Sequence, residues 1–415
     1  MASMNETNKH TWCVNAEHAL SIGTNGDARI CCMVENELKD DNGKQFNVET
    51  SSIDEIFNST EIIRVRQNLR LGVKDPGCKK CWNEEDAGRA SKRVRDIQFK
   101  KFEAVDIEGR LKILELNLGN TCNIKCRTCG PWSSSQWIRE YYDTKYERKA
   151  DVSYEGFAKQ QTRYTTLYDS DSPFWDGVFQ AAPDLEHLDF YGGEPFLIKK
   201  QWELITHCTE KGYSKNQILH YNTNTTIWPK DHIETLKKFK LLDLSFSIDG
   251  INEQANYIRY PSEWETVDEN VNRWYVHNLE NPENTKLSIC MTLSPMNIFY
   301  MDRMFDYVDR INEKYSSDKL SLYLNLVHRP EYYNISYLPD YFKTAVTEKY
   351  KDAYHKNWLL QGIIQFMNNG SHDEKIWKQF KYYAKAGDEY RNQSFKEFFP
   401  EVYQLMEENN DVEGL

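Results

Sequence analysis

Three cysteines within eight residues constrain this chain more than any other feature of its sequence. Cys122, Cys126 and Cys129 follow the apolar, strand-like run Leu111–Leu118 with the spacing Cys-x3-Cys-x2-Cys. Zinc motifs usually bring cysteines in Cys-x2-Cys pairs with a fourth ligand, and no nearby Cys or His completes this set. A [4Fe–4S] cluster needs four ligands, so three thiolates would leave one iron open. The alternatives from the residues alone are such a cluster, a zinc knuckle, or incidental core thiols.

Size and charge limit the functions open to the chain. Its 415 residues suffice for one large barrel-type domain with an appendage, or for two to three ordinary domains. The net charge of -12 argues against a broad phosphate-binding face, so we expect no general nucleic-acid binding. The sequence has no long apolar run and no signal-peptide core, which predicts no membrane span and a cytoplasmic location. Ten cysteines in such a chain indicate metal ligands rather than disulfides.

A second group of cysteines lies in the first hundred residues. Ala19–Ile22 is predicted to be a strand, Thr24–Asp27 suits a tight hairpin turn, and Ala28–Val34 is predicted to return as a strand carrying Cys31 and Cys32. Neighbouring residues of a strand face opposite ways. Only one of these two thiols is therefore expected to reach a shared site.

Two helices and a second cysteine pair follow the hairpin. Ser52 with Glu55 predicts a capping box, and the apolar spacing predicts a helix from Glu61 to Leu71. The segment Pro76–Trp82 is predicted to be a tight loop presenting a Cys-x2-Cys pair. Four thiolates of this kind suit zinc or an iron–sulfur cluster. The pair is Cys78 and Cys81, two distant cysteines of the preceding hairpin region would complete the set, and the residues alone favour zinc.

Six short apolar runs separated by helical or loop stretches follow. Alternating strands and helices predict an α/β fold with a parallel sheet, in which the chemistry lies at the carboxyl ends of the strands. Polar residues such as Glu115 and Asp189 interrupt these runs, either as barrel filling with local hydrogen bonds or as the lining of an open lumen. The runs are Leu111–Leu118, Leu185–Tyr191, Gln217–Asn222, Leu241–Ile248, Lys286–Leu293 and Leu320–Val327.

Two aromatic regions accompany the predicted sheet. The connection between the first two strands contains a helix-like run, Trp137–Tyr146, and a predicted loop, Tyr164–Trp175. Amphipathicity alone would place these aromatic residues in the core. Connections of this length are often functional lids or disordered segments, and the aromatic content argues against disorder. The residues from Glu331 onward are predicted to be helical and to cap the barrel, with a substrate-specific surface as the alternative. The predicted helices there are Tyr341–Tyr354, Trp358–Met367 and Lys375–Ala386.

The cysteine triplet resembles the cluster motif of the radical S-adenosylmethionine (SAM) enzymes, in which the open iron chelates the amino and carboxylate groups of SAM. The second strand ends in Tyr191-Gly192-Gly193-Glu194-Pro195, which matches the GGEP motif of that family. By this resemblance Gly192 and Gly193 lie beside the SAM amino group and Glu194 holds it. Glycine is expected there because the methionine moiety approaches the main chain closely.

Later strand ends resemble further contacts of the same family. Ser247 and Asp249 match the S-x-D-G segment that bonds the ribose hydroxyls, and Asn222 resembles a ribose or methionine contact. Arg259 matches an arginine that pairs with the SAM carboxylate, for which the planar guanidinium is suited. A surface helix arginine is the alternative. Thr292 is a candidate for the adenosine pocket.

One position departs from the family pattern. Thr128 stands where an aromatic residue usually precedes the third cysteine. The adenine contact is therefore expected elsewhere, Trp132 being close in sequence, or the pocket has a different shape.

The N-terminal region resembles the auxiliary-cluster SPASM/Twitch region of these enzymes, which usually follows the barrel. Five cysteines here imply a single cluster, the Twitch variant, with Cys13, Cys31, Cys78 and Cys81 as ligands and Cys32 able to replace Cys31. The resemblance rests on the segments Gly26–Cys31, Ile53–Ser59, Leu69–Arg70 and Cys78–Cys81.

The resemblance implies a domain organisation and an activity. The expected domains are a Twitch-like domain over 10–100, a partial (β/α)6 TIM-like radical SAM barrel over 111–330, and a helical extension over 331–415. Two [4Fe–4S] clusters and SAM are the expected cofactors. The expected activity is reductive cleavage of SAM to a 5′-deoxyadenosyl radical that abstracts hydrogen from a substrate.

The substrate stays open at this point. Peptide or protein modification, with the auxiliary cluster handling electrons, is the main hypothesis. The alternatives are a radical SAM dehydrogenase or epimerase of an aminocyclitol, sugar or nucleotide, and a non-enzymatic zinc-binding interaction protein. The expected partners are the peptide or small-molecule substrate and a reductase such as flavodoxin or ferredoxin.

Overall fold

The computed structural model describes residues 10–86, 90–100, 109–145, 152–166, 168, 171–354 and 357–415. The fold is mixed α/β, as predicted, and divides into two compact units. The first unit comprises Met1–Thr121, Thr162–Tyr221 and Lys230–Leu242, and the second comprises Cys122–Gln161, Asn222–Pro229 and Asp243–Leu415. Among the described residues, no helix has the length and apolar character that a bilayer crossing requires.

The strands of the first unit lie in the order β2-β1-β3-β4-β5. Strands β1 and β2 pair antiparallel around the predicted hairpin turn, whereas β1 with β3, β3 with β4, and β4 with β5 pair in parallel. The N-terminal hairpin therefore belongs to the same sheet as the strand that precedes the cysteine triplet. The strands are β1 Ala19–Ile22, β2 Ala28–Arg29, β3 Ile113–Asn117, β4 His187–Tyr191 and β5 Ile218–Thr223, whose last two residues belong to the second unit.

The second unit contains most of β6, Leu241–Ser247, together with β7, Thr285–Leu293, and β8, Leu320–Leu326. These three strands are neighbours in that order, and β7 pairs with β8 in parallel along its length from Leu287. All six strands predicted after residue 110 are thereby confirmed as β3 to β8.

The helices agree with the apolar spacing of the sequence. The predicted capping box is present, since Ser52 Oγ accepts from the Glu55 backbone N–H at 3.2 Å and the Glu55 carboxylate accepts from the Ser52 N–H at 2.8 Å. The helices are α1 Val14–His18, α2 Ile53–Phe57, α3 Thr60–Arg70, α4 Lys79–Asp86, α5 Lys92–Lys100, α6 Trp137–Thr144, α7 Tyr154–Thr166, α8 Pro173–Ala181, α9 Lys199–Glu210, α10 Ile233–Leu236, α11 Glu253–Ile258, α12 Trp264–Glu280, α13 Met301–Lys314, α14 Asp340–Tyr354, α15 Trp358–Asn369, α16 Glu374–Arg391, α17 Phe395–Phe398 and α18 Pro400–Glu408.

The predicted return strand Ala28–Val34 is wrong beyond Arg29. The backbone of Ala28 exchanges hydrogen bonds with Leu38 and Phe46, while Val34 N–H bonds Cys31 C=O at 3.1 Å in a turn. Partners from the following loop therefore take over the edge of the hairpin. Cys31 and Cys32 lie in this turn rather than on a strand.

Two predicted loops are partly helical. In the segment Pro76–Trp82 a 3-10 turn, Pro76–Cys78, leads directly into α4, so Cys81 lies on a helix. The cause is Asp75, whose carboxylate accepts from Gly77 N–H at 2.9 Å and caps the turn. The segment predicted as the loop Tyr164–Trp175 begins within α7 and ends within α8. In the preceding run, Tyr146 lies outside the described residues.

Alternation along β3 and β4 separates an apolar from a polar face. Leu114, Leu116, Leu188 and Phe190 are fully buried. The intervening positions place Glu115 opposite Asp189, and the register continues to Ser21 on β1 and to His220 on β5. Glu115 and Asp189 are also buried, so this polar row is part of the interior and needs charge partners. These four positions form one rung across four neighbouring strands.

Candidate functional site

The three cysteines of the triplet lie together on a loop of the second unit, residues 122–129, here called the three-thiol loop. Main-chain hydrogen bonds hold this loop against the end of α11: Lys125 N–H bonds Tyr260 C=O and Arg127 N–H bonds Ile258 C=O, both at 2.7 Å. Burial, followed by the neighbouring thiolates of Cys126 and Cys122, raises the pKa of the Cys129 thiol to about 12. Burial also raises the pKa of the Cys126 thiol. A bound cation would keep these two sulfurs ionised, which fits a metal-cluster donor set.

Two side chains donate toward the sulfurs of the three-thiol loop. Arg259 Nη1 lies 3.5 Å from Cys126 Sγ, and Asn224 Nδ2 lies 3.8 Å from Cys122 Sγ. Hydrogen bonds to the sulfurs are among the factors that set the reduction potential of an iron–sulfur cluster. Asn224 belongs to the segment Asn222–Asn224 that resembled a ribose or methionine contact, but a contact with a cysteine sulfur was not predicted for it.

Most of the Arg259 side chain is shielded from solvent, so the surface-helix alternative does not hold. Its guanidinium pairs with Asp249, Nη2 to Oδ2 at 2.8 Å, with 13% of the arginine side chain and 1% of the aspartate side chain exposed. Burial alone would lower the pKa of Arg259, but the Asp249 carboxylate and neighbouring thiolates outweigh it and the pKa is raised. Within the described residues, Arg259 Nε has no hydrogen-bond partner. A buried, cationic donor therefore remains beside the three-thiol loop.

Asp249 organises the ends of two strands. Its Oδ1 accepts from Thr292 N–H at 2.8 Å, and Asn297 Nδ2 bonds the main-chain oxygens of both Asp249 and Thr292 at 2.9 Å. Its carboxylate oxygens thus have protein partners in Thr292 and Arg259. Asp249 connects Arg259 to the end of β7, a role that the predicted ribose contact did not include.

The remaining cofactor candidates of the second unit lie at strand ends. Ser247 closes β6 and Asn222 lies near the end of β5, and both are half-buried. Thr292, also half-buried, lies one residue before the end of β7. Placement at the carboxyl ends of parallel strands agrees with the rule for such sheets.

The glycine pair belongs to the first unit and needs its glycines for a reason that the sequence did not reveal. Gly192 and Gly193 have φ of +79° and +43°. A Cβ at Gly192 would lie 1.9 Å from Asn117 Oδ1, and one at Gly193 would lie 2.0 Å from Thr121 O. The turn therefore packs directly on the segment that leads into Cys122. Only glycine fits at these two positions, because a Cβ would collide with that segment.

Glu194 is fully buried at the end of this turn. Its N–H bonds Thr121 C=O at 2.8 Å, and its Oε1 accepts from Phe196 N–H at 3.2 Å, which caps the 3-10 turn Pro195–Leu197. The carboxylate thus fixes the turn itself. Beside it, Asn117 Oδ1 is buried without a hydrogen-bond partner among the described residues.

Four cysteines of the first unit surround one cavity, here called the four-thiol cavity. Cys13, Cys31, Cys78 and Cys81 all line it, and Lys92 and Arg93 line it as well. Burial, opposed mainly by backbone hydrogen bonds, raises the pKa of Cys13 to about 11; burial together with Cys13 and Asp75 raises that of Cys78 to about 12. Over the described ranges, no group of three or more His, Cys, Asp or Glu is placed to hold a single metal ion. The thiols surround a space instead, which fits a cluster whose irons each take one thiolate.

The structure distinguishes Cys31 from Cys32. Cys31 lines the four-thiol cavity, whereas Cys32 turns toward Glu115: its N–H bonds Glu115 Oε2 at 2.8 Å and its Sγ lies 3.5 Å from Oε1. The same carboxylate pairs with Lys92 Nζ at 3.1 Å. Glu115 therefore fixes the turn that carries Cys31. Lys92 was missed in the sequence because nothing in its local pattern distinguishes it from other helix lysines.

Two family models match the chain. One, described as the Radical SAM superfamily, covers residues 116–308, and the other, an iron–sulfur cluster-binding domain named SPASM, covers residues 13–82. The first range contains the three-thiol loop, the glycine turn and Arg259, and the second contains the four-thiol set. No curated protein matches the chain.

Solved structures similar to the chain include native anSMEcpe with bound AdoMet, at a TM-score of 0.33 and 17% identity over 59% of this chain and 60% of that one. Native anSMEcpe with bound AdoMet and the Kp18Cys peptide gives 0.35 and 16% over 63% of each chain. Streptococcus suis SuiB bound to S-adenosylmethionine gives 0.32 and 14% over 77% of this chain and 62% of that one. The chain spans about three fifths of the length of these proteins. Similarity at this level assigns no substrate.

Proposed function

We propose, on the premise that this chain is a radical SAM superfamily protein with a SPASM-type iron–sulfur domain, that it reductively cleaves SAM and uses the resulting 5′-deoxyadenosyl radical to abstract hydrogen from a substrate. One observation carries the proposal. Three cysteines share a loop, and the largely shielded, charged guanidinium of Arg259 lies 3.5 Å from the sulfur of one of them, Cys126. Three sulfurs with an adjacent cation suit a cluster that keeps one iron for the carboxylate and amine of SAM.

The thiolates of Cys122, Cys126 and Cys129 would hold the cluster. When bound, the cluster supplies one electron to the SAM sulfonium, which breaks the C5′–S bond. The chain itself must bind SAM, orient it and exclude water. The remaining roles fall to groups around the three-thiol loop.

Arg259 is proposed to bind the SAM carboxylate. Its Nε is buried without a partner among the described residues, and its Nη2 is held by Asp249 at 2.8 Å. A guanidinium anchored on one side presents its other donors in a defined direction, which lowers the cost of ordering on binding. Asp249 is then a positioning residue, and the half-buried strand ends at Asn222 and Ser247 are left for the ribose.

Gly192, Gly193 and Glu194 are proposed to contribute the amino-group contact, as the resemblance implies. The support is that the turn presents main chain rather than side chains, since any Cβ there would strike Asn117 or Thr121. Thr292 is proposed to line the adenosine pocket through its half-buried side chain at the end of β7.

Trp132 is proposed to stack on adenine in place of the aromatic residue that Thr128 replaces. Its side chain is 45% exposed, and a Cβ on Gly130 would lie 2.4 Å from its ring. The ring is therefore folded back over the end of the three-thiol loop. Tyr141 holds it edge-on, with centroids 5.8 Å apart and planes at 83°. One face is left for a base, and stacking of this kind contributes about 1–3 kcal/mol.

The four-thiol cavity is proposed to hold an auxiliary [4Fe–4S] cluster with Cys13, Cys31, Cys78 and Cys81 as ligands. Four thiolates leave no iron open, which suits electron transfer rather than substrate binding. Lys92 and Arg93 line the same cavity. Their positive charges would favour the reduced, more negative form and so raise the reduction potential.

The substrate is proposed to be a peptide or protein, and the electron donor a flavodoxin- or ferredoxin-type reductase. The support for the substrate class is the SPASM-type domain, because such enzymes most often modify peptides. Electrons would enter or leave through the auxiliary cluster.

The test is anaerobic incubation of the reconstituted chain with SAM and sodium dithionite, with assay of 5′-deoxyadenosine and methionine. We expect production by the native chain and none by Cys126→Ala, since two thiolates cannot hold the cluster. Cys208→Ala is the matched control, because Cys208 is a fully buried thiol on α9 outside both sites and should leave the product unchanged.

Iron and zinc analysis of the same samples separates this proposal from a zinc-binding interaction protein. Two full clusters correspond to about eight irons per chain. Stoichiometric zinc with colourless protein, or unimpaired 5′-deoxyadenosine formation by Cys126→Ala, would overturn the proposal.

A further inference from the structure

We propose that helix α16 is a positioning element for the three-thiol loop and acts through Asp388 and Arg391. The inference rests on the proposed function, because it treats residues 122–129 as the cluster loop. It assigns a role to the C-terminal helices that neither the cysteine motif nor the family match includes, since the family match ends at residue 308.

The first connection is made by Arg127, which stands between two of the thiols in sequence. Its side chain is buried, and its Nη2 pairs with Asp388 Oδ1 at 2.5 Å. Nη2 also bonds Gln393 Oε1 at 2.9 Å, and Nη1 bonds Ala384 C=O at 3.1 Å. The guanidinium carbon lies 3.6 Å from the centroid of the Tyr257 ring. The loop therefore projects an arginine whose donors bond groups on and just after α16.

Asp388 is held in the orientation that this pairing requires. Tyr257 Oη donates to its Oδ1 at 2.7 Å and Phe395 N–H donates to its Oδ2 at 2.6 Å. Next to it, a Cβ on Gly387 would lie 2.7 Å from Arg127 Nη1. Glycine inside a helix costs about 1 kcal/mol relative to alanine, and here it makes room for the incoming guanidinium.

The second connection is made by Arg391, one turn further along α16. Its Nε pairs with Glu140 Oε1 at 2.9 Å, with 1% of each side chain exposed, and its Nη2 bonds Lys125 C=O at 2.9 Å. Glu140 also pairs with Lys125 Nζ at 2.8 Å. On the same helix α6, Trp137 Nε1 bonds Cys126 C=O at 2.9 Å. Arg391 thus connects α16 to the backbone before Cys126 and to the helix that bonds Cys126 itself.

Buried ion pairs at these positions indicate placement rather than bulk stability. Well-packed apolar residues often stabilise a protein as much as a buried pair does, whereas removing one partner leaves an uncompensated charge. The two pairs fix both the direction of the Arg127 side chain and the position of the Lys125 carbonyl. The spacing of the three sulfurs consequently depends on α16 being seated.

The experiment measures iron release from the reconstituted full chain to a chelator, with each cluster followed by its own electron paramagnetic resonance signal after reduction. The main variant is Asp388→Asn, which preserves shape but removes the charge opposite Arg127. We expect release from the three-thiol loop to accelerate about tenfold or more, the usual effect of removing a ligand-orienting residue, with the four-thiol cavity unchanged. Asp388→Glu keeps the negative charge, so iron release from the three-thiol loop should be slower than in Asp388→Asn.

A second variant tests whether the result of Asp388→Asn comes from a folding defect. Gly387→Ala adds one methyl group against Arg127 Nη1 and leaves every charge in place, and a smaller acceleration at the same cluster is expected. The control is Glu401→Gln, which breaks the pair between Glu401 on α18 and Arg303 on α13, where 46% and 41% of the two side chains are exposed. It should release iron from both sites at the native rate.

The outcomes separate this inference from the proposed function. A native chain that binds no cluster at the three-thiol loop would overturn the proposed function before any variant is compared. If the native chain binds two clusters and cleaves SAM, but Asp388→Asn releases iron at the native rate, the positioning role is wrong. Equal acceleration at both clusters would reveal general destabilisation and would also overturn it.

Discussion

The three-thiol loop and the four-thiol cavity hold their cysteines in different ways. The loop offers three sulfurs with Arg259 and Asn224 donating toward two of them, at 3.5 and 3.8 Å. The cavity offers four sulfurs around a shared space, lined also by two cations. A site with one open coordination position can bind a reactant, whereas a site closed by protein ligands exchanges electrons or stabilises the fold. The number of thiols thus separates the proposed chemistry of the two sites.

The two sites are alike in how their supporting turns are fixed. A carboxylate anchors each turn: the buried Glu115 accepts from the Cys32 N–H beside Cys31, and the partly buried Asp388 accepts from Arg127 beside Cys126. In both cases the sequence neighbour of a proposed ligand, and not the ligand, is the anchored residue. Anchoring a neighbour leaves the sulfur free to bind metal.

The largest effect is expected from Cys78→Ala, which tests whether the two sites bind their clusters independently. We expect the four-thiol cavity to lose its cluster, so that iron falls by about four per chain, while 5′-deoxyadenosine formation without substrate continues. The reason is that the three-thiol loop keeps all its own thiols. Iron analysis and the SAM cleavage assay measure both. Loss of all iron together with all SAM cleavage would mean that the two sites are not independent.

The next largest effect is expected from Lys92→Met, which leaves Glu115 buried without its cation. Removing one partner of such a pair costs about 3–5 kcal/mol, measured as the free energy of unfolding by urea. The double variant Lys92→Met/Glu115→Gln should recover part of that loss. If the loss of unfolding free energy in the double variant equals the sum of the losses in Lys92→Met and Glu115→Gln, the two residues are not coupled and Glu115 does not act through Lys92.

A smaller effect is expected from Gly192→Ala. The positive φ and the contact with Asn117 Oδ1 should lower the free energy of unfolding by about 1–3 kcal/mol. Gly212→Ala is the matched control, since Gly212 has a φ of +78° but nothing within 4 Å of the added Cβ. The difference between the two variants isolates the contact from the strain. Equal losses would show that packing against Asn117 is unimportant.

The smallest effect is expected from Trp132→Ala, which asks whether the three-thiol loop carries a ligand surface that the four-thiol cavity lacks. We expect SAM to bind about 1 kcal/mol more weakly, measured by titration of the reconstituted protein. Trp358→Ala, on α15 with 77% of the side chain exposed, should bind SAM as the native chain does. An unchanged affinity in Trp132→Ala would place adenine elsewhere.

Local patterns predicted most of the elements but not their partners. The six apolar runs after residue 110 became β3 to β8, and the Ser52 capping box formed as predicted, because alternation and capping are properties of neighbouring residues. The return strand after Ala28 was wrong because Leu38 and Phe46 compete for its hydrogen bonds. That competition depends on a loop whose path local sequence does not specify.

The sequence alone determined the family resemblance and the α/β fold. Both depend on patterns of residues that are close in sequence: the cysteine spacing, the glycine pair and the periodicity of the strands. The tertiary structure decided three other features. It placed Cys31 rather than Cys32 at the cavity, it required glycine at Gly192, and it brought Asp388 to Arg127 across 261 positions. The physical reason is that burial and charge pairing depend on residues far apart in the chain. Their cost or benefit exists only after those residues meet.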